Sequence, residues 1–130
     1  MLSWGVSTEI ERKRTTGIKI LVAFDDDYRA YQGTLAATIR ILRPDGEVMA
    51  VEPEKMRGVA KRFGPDIVIS SRFYDEDLGD VRAWIKLALD PTQSTEVRVD
   101  GQHSEMINPT LDKLLVIIEE VAQRKRTGDL

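Results

Sequence analysis

Residues 17–28 read GIKILVAFDDDY, an apolar run that ends in three carboxylates and then turns helical, and this stretch decides the fold. Ile18, Ile20, Leu21, Val22, Ala23 and Phe24 are interrupted only by Lys19. A half-exposed strand alternates with polar residues, so a continuous run predicts a strand buried on both faces, as in the centre of a parallel sheet. In open α/β sheets, ligands and chemistry sit in the crevice beyond the carboxyl ends of such strands. Asp25, Asp26 and Asp27 stand at that end.

Outward from this strand the chain alternates. Tyr28, Tyr31, Leu35, Ile39 and Leu42 recur at helical spacing, with Asp26 or Asp27 placed to cap the helix start and Pro44, Asp45 and Gly46 to turn the chain. Residues 47–51 predict a second strand. Pro53 opens a second helix with Met56, Val59, Ala60 and Phe63 on its core face, and Gly64 and Pro65 stop it. DIVISS, residues 66–71, is a third buried strand, so two strand–helix–strand units predict a parallel sheet with the first strand inside. Only residues 72–80 precede the next strand, too few for a crossover helix. Residues 81–89 alternate apolar and polar, which predicts an antiparallel or edge strand with one wet face. Residues 96–99 and 103–107 flank the turn dipeptide Asp100-Gly101 and predict a hairpin. Asn108 as cap and Pro109 as opener begin a last helix with Leu111, Leu114, Leu115, Ile118, Val121 and Ala122 on its apolar side.

Composition bounds the function. The 130 residues, 42% hydrophobic and 32% charged, suit a single core. A net charge of −3 argues against nucleic acid or anionic lipid as a general partner. With no cysteine and one histidine, disulfides, thiolate chemistry and a zinc site are disfavoured. No apolar run is long enough for a membrane span, and residues 1–17 lack the apolar core of a signal peptide. The expectation is a soluble cytoplasmic protein. Its parts are an N-terminal arm at 1–17 bearing Trp4 and the basic run Arg12, Lys13 and Arg14, an α/β domain at 18–126, and a polar tail at 127–130.

Seven carboxylates fall on the loops after the first and third strands: Asp25, Asp26 and Asp27, then Asp75, Glu76, Asp77 and Asp80. Hard oxygen ligands gathered in this way suit a magnesium or calcium ion, with Asp25 and Asp26 as the first candidates. The competing reading is a helix cap at Asp27 and solvated charges elsewhere. His103 has no second histidine or cysteine as partner, and a surface or packing role fits it better. Ser70 and Ser71 lack a nucleophile elbow and an evident base. No glycine-rich phosphate loop follows any strand. Tyr28 and Tyr31 read as helix core in preference to a stacking platform.

KILVAFDDDYR at 19–29 resembles the opening of a response-regulator receiver domain, whose first strand ends in acidic residues that hold magnesium. PDIVISS at 65–71 resembles the receiver strand that ends in the phosphorylated aspartate, and NPTLDKLLVIIEEV at 108–121 resembles the lysine-proline step and closing helix. The resemblance implies a three-layer, flavodoxin-like sheet, parallel in its first half, to which the patterning adds an antiparallel strand and hairpin in the second. It also shows where the pattern departs. Phe24 stands at the first acidic position, Asp25 and Asp26 at the second and third, Ser71 at the phosphoacceptor and Asn108 at the lysine. A hydroxyl cannot form an acyl phosphate, and without the lysine a phosphoryl group loses its cationic partner.

The reading is therefore a degenerate receiver-like domain, non-catalytic and without a resident cofactor, that regulates or binds through its surface. The alternative is a small metal-dependent enzyme or ligand-binding protein using the acidic edge. The last helix is apolar beyond the ~100° stripe that one sheet face needs. That excess predicts a protein partner or a homodimer, with Leu114, Ile117, Ile118 and Val121 as its interface. In the competing reading the N-terminal arm covers Ile117, with Trp4 as the cover.

Overall fold

The computed structural model describes residues 17–71, 81–88, 90, 92–107 and 109–127, with side chains through 125. Strand β1 (Lys19–Ala23) is sealed apart from Lys19. It lies between β2 (Glu47–Ala50) and β3 (Ile67–Ser70) and runs parallel to both. With β4 (Ala83–Lys86), β5 (Ser94–Val99) and β6 (Gln102–Ile107), the sheet order is β2-β1-β3-β4-β5-β6. The chain is thus α/β, with a mixed six-stranded sheet and, among the described residues, the helices α1 (Arg29–Leu42), α2 (Met56–Phe63) and α3 (Leu111–Thr127).

Successive strand residues point to opposite faces, and both faces of β1 are apolar. Ile20 and Val22 therefore join one cluster with Leu35 and Ile39 of α1 and Leu114, Ile118 and Val121 of α3. Leu21 and Ala23 join the other with Met56 and Ala60 of α2. Each fully buried isoleucine or leucine contributes roughly 2–3 kcal/mol of transfer free energy. Two glycines punctuate this half for separate reasons. Gly64 adopts φ +64° and donates its N–H to the Ala60 carbonyl at 2.9 Å, ending α2. At Gly46 a Cβ atom would approach Ile18 Cγ2 and the Ile18 carbonyl to 3.1 Å.

Local details correct the expectations for the helix starts. A 3-10 turn (Asp26–Tyr28) precedes α1, its Tyr28 N–H bonds the Asp25 carbonyl at 2.9 Å, and neither Asp25 nor Tyr28 caps through its side chain. A backbone acceptor does there what a carboxylate cap was expected to do. Tyr28 and Tyr31 are not core: Tyr28, which ends the 3-10 turn, is 39% exposed, and Tyr31, in the first turn of α1 and 42% exposed, stacks on Phe24 with centroids 5.6 Å apart. Burial against its surroundings raises the Tyr31 phenol above its ordinary value. At the start of α3, Thr110 receives the Lys113 N–H, through its carbonyl at 3.1 Å and its hydroxyl at 3.4 Å. Asn108 lies outside the described residues.

The largest difference from expectation is β4. It alternates as predicted, with Ala83 and Ile85 buried and Trp84 and Lys86 half-buried. It is nevertheless parallel to β3 and interior, and the antiparallel addition begins only at β5. The length rule for parallel connections assumes that a helix fills the crossover. Returning along a strand of 4 residues needs only about 13 Å, and residues 71–82 can span that without a helix. The stretch 72–80, expected to hold no full helix, lies outside the described residues. The hairpin forms as the turn dipeptide predicts, with Asp100 at φ 50° and Gly101 at φ 82°.

The end of α3 is anchored at the opposite edge of the sheet from the acidic loop. Lys125 Nζ reaches Asp66 Oδ2 at 2.9 Å and the Gly17 carbonyl at 2.8 Å, and the same carboxylate oxygen accepts the Lys19 N–H at 2.8 Å. No helix among the described residues is long and apolar enough to cross a membrane.

Candidate functional site

Because β1 and β3 are parallel neighbours, their carboxyl ends deliver Asp25 and Ser71 to the same edge. The two residues clasp each other. Ser71 Oγ donates to Asp25 Oδ2 at 3.0 Å and accepts the Asp25 N–H at 3.2 Å. One residue earlier, the fully buried Ser70 accepts the indole N–H of Trp84 at 2.7 Å, which ties the end of β3 to β4. Phe24 donates its N–H to Gln32 Oε1 at 2.6 Å, tying the end of β1 to α1. The ends of β1 and β3 are thus each held by side chains from elsewhere in the fold.

This geometry limits the chemistry. A carboxylate is a weak base toward an aliphatic hydroxyl, and the clasp has no histidine to move a proton, so it does not make Ser71 a nucleophile. Asp25 and Asp26, the first metal candidates, make different contacts. Asp25 faces Ser71, whereas the Asp26 side chain is 84% exposed and pairs with Arg29 at 2.9 Å. Among the described residues, no three histidine, aspartate or glutamate side chains are grouped to hold an ion. Asp75, Glu76, Asp77 and Asp80 lie outside the described residues. The Asp25–Ser71 contact escaped the sequence reading because 46 positions separate the partners; the parallel register alone brings them together.

A second polar group crosses the hairpin. Lys86 on β4 pairs with Glu96 on β5, and His103 Nε2 on β6 lies 3.0 Å from Glu96 Oε1. The Lys86 ammonium first, and the His103 ring second, hold Glu96 below the ordinary glutamate range. His103 therefore has an acidic partner in place of the metal-ligand companion that the sequence lacks. Alternation did carry a signal for this cluster, since Lys86 and Glu96 both fall on the polar phase of their strands, but the pairing needs the β4–β5 register.

The interface expected on the last helix requires correction. Leu114, Ile117, Ile118 and Val121 are all core residues of the monomer, with Ile117 only 6% exposed. The stripe looked too wide because the core it meets includes α1 and the hairpin as well as the sheet beneath, with Val99 and Met106 packed against it. The apolar residues of that helix left at the surface are Leu111, 36% exposed, and Val116, 57% exposed. Val116 borders a groove of about 600 Å³ between α3 and the β5–β6 hairpin, floored by Val97 and Met106 and rimmed by Lys113 and Arg124. Contact of Ile117 with the N-terminal arm concerns residues outside the described ones.

Compared with known proteins, the chain matches no family model, no curated protein and no solved structure.

Proposed function

We propose that this chain is a non-catalytic, receiver-like regulatory or protein-interaction module that is not phosphorylated at the usual position. The observation that carries the reading is the Asp25–Ser71 clasp: where a receiver places its phosphoacceptor, a serine hydroxyl is tied to the neighbouring carboxylate. Support comes also from the order β2-β1-β3-β4 of the parallel strands, the order of a flavodoxin-like, three-layer sheet, followed here by a hairpin that such a sheet does not have. On this reading the module works in the cytoplasm by docking, on a protein partner or on a second copy of itself.

The test is exposure to acetyl phosphate with magnesium, read by intact mass, together with a magnesium and calcium titration read by melting temperature. A bound ion stabilises the folded state by RT ln(1 + [L]/Kd), so a real site shows itself at ~10 mM metal. The expected result is no added phosphate and no shift of the melting temperature. Stoichiometric, acid-stable phosphate on Ser71 removes the proposal, and a rise of several degrees with metal transfers it to the metal-dependent alternative.

A further inference from the structure

The two edges of the sheet are finished differently. At the β2 edge, Glu47 and Val51 turn their N–H groups inward to Ile18 and Val22, so the carbonyl of Val48 between them faces out. Arg40 covers that carbonyl, its guanidinium donating at 2.9 and 3.3 Å. Pro53 follows shortly after the strand. A short strand, a capping cation and a nearby proline are ways by which an edge is kept from pairing.

Among the described residues no cation caps the outward backbone of the β6 edge, although Pro109 follows that strand closely, as Pro53 follows β2. Strand β6 is 6 residues long, contains neither proline nor lysine, and pairs with β5 one to one from Val99↔Gln102 to Ser94↔Ile107 without a bulge. The two-residue turn makes Val99 and Gln102 a hydrogen-bonded pair, and the alternation of an antiparallel ladder then turns the backbone N–H and C=O groups of His103, Glu105 and Ile107 away from β5. Ile107, 73% exposed, stands at the end of this open row.

We propose that β6 is a self-pairing edge: two copies of the chain join their β6 strands antiparallel about Ser104 and continue one sheet into the next. The inference rests on the interaction-module reading above and names its partner as a second copy. Charge selects the register. Outward-facing residues must meet outward-facing residues, which within the strand allows the two-fold axis to pass opposite His103, Ser104, Glu105 or Met106, the last setting Glu105 against Ile107 with no opposite charge to pair. An axis at Glu105 sets two carboxylates directly across from each other, unfavourable for a cross-strand pair, and an axis at His103 sets two imidazoles across from each other with no acidic partner for either. An axis at Ser104 sets His103 against Glu105 of the second copy twice over and forms about four backbone hydrogen bonds. It also carries Ile107 across the bare backbone of Gly101 in the second copy. Closed two-fold pairing is the commonest arrangement for a small protein.

Glu105 provides the decisive variants. Within one chain it stands opposite Glu96, so Glu105→Lys replaces a like-charge pair by an opposite one and leaves the fold as stable as before or more so. In the pair of copies, the same change sets lysine against His103 at both symmetric positions. Glu105→Pro removes the outward N–H and leaves the β5 ladder intact.

Sedimentation equilibrium from ~5 to ~500 µM reads the association, and amide hydrogen exchange reads the edge. The expected result is a concentration-dependent dimer in which exchange at His103, Glu105 and Ile107 slows as the dimer forms. Both variants should weaken it about tenfold or more, while the melting temperature of Glu105→Lys is kept. Three results overturn the inference. A dimer that both variants leave unchanged pairs through another surface, and the module reading then survives alone. A monomer at the highest concentration removes the self-pairing edge. Outward amides already protected in the monomer show that another part of the same chain holds the edge. Failure of the module reading is read separately, by phosphate on Ser71.

Discussion

The parallel half of the sheet and the β5–β6 hairpin are held together by different physics. β1 and β3 are buried almost throughout, pressed between α2 on one side and α1 and α3 on the other. In β6 only Met106 is even partly buried. The hairpin depends on its left-handed turn, on Thr95 Oγ1 accepting the Ala88 N–H at 2.9 Å, and on the row Lys86, Glu96 and His103 across its polar face. One half is specified by volume and the other by polar registration. The first tolerates little change in side-chain size, while the second answers to charge and pH.

The sharpest break of this comparison is a matched pair of truncations. Ile118→Ala opens a cavity under a fully buried side chain and is expected to cost about 3–4 kcal/mol, whereas Met106→Ala, at the margin of the same cluster, costs about 1 kcal/mol. Urea unfolding measures both, and equal losses would mean that the hairpin is as tightly packed as the parallel half. Because Ile118 is core, its truncation should act on stability whatever the state of association, which separates it from the interface role expected of the last helix.

A smaller effect of opposite sign is expected at Gly33, in the middle of α1, where an added Cβ atom meets nothing within 4 Å. Gly33→Ala should stabilise by up to about 1 kcal/mol, from restored helix propensity and a less flexible unfolded chain. A loss of stability would show that this exposed position has a role beyond the helix.

The smallest expected effect belongs to the hairpin. Glu96 is held below its ordinary value of 4.5, so its contribution is fully present above that pH and is lost as the pH falls through the lower folded-state value. Comparing the wild type with Glu96→Gln by urea unfolding from neutral pH to about pH 3 should show a difference that shrinks on the acid side, below pH 4.5. A difference independent of pH would detach Glu96 from its Lys86 and His103 partners.

Much of the fold was legible where its signals are local. The run at 18–24, the helical spacing through Leu35 and Ile39, Pro53 at a helix start, Gly64 at a helix end and Asp100-Gly101 in a turn each act within a few residues, and each has its expected place in the structure. The direction of β4 was not legible, since alternation reports which face is wet and says nothing about which neighbour the strand pairs with. Leu114, Ile117, Ile118 and Val121 were misread for a related reason: helical periodicity counts apolar positions but does not say how many elements they will meet.

The candidate site divides along the same line. By itself the sequence determined that acidic residues follow a buried strand, that a serine stands at the end of another, and that no cysteine or histidine pair offers a metal or thiol chemistry. Only the tertiary structure decided that Asp25 and Ser71 hold each other, that Glu96 lies between Lys86 and His103, and that Arg40 closes the β2 edge while β6 is the last strand at the other edge among the described residues. Composition and spacing act over a few residues of chain. Strand register and sheet order bring together groups tens of residues apart, and hydrogen bonds a few ångströms long depend on that placement alone.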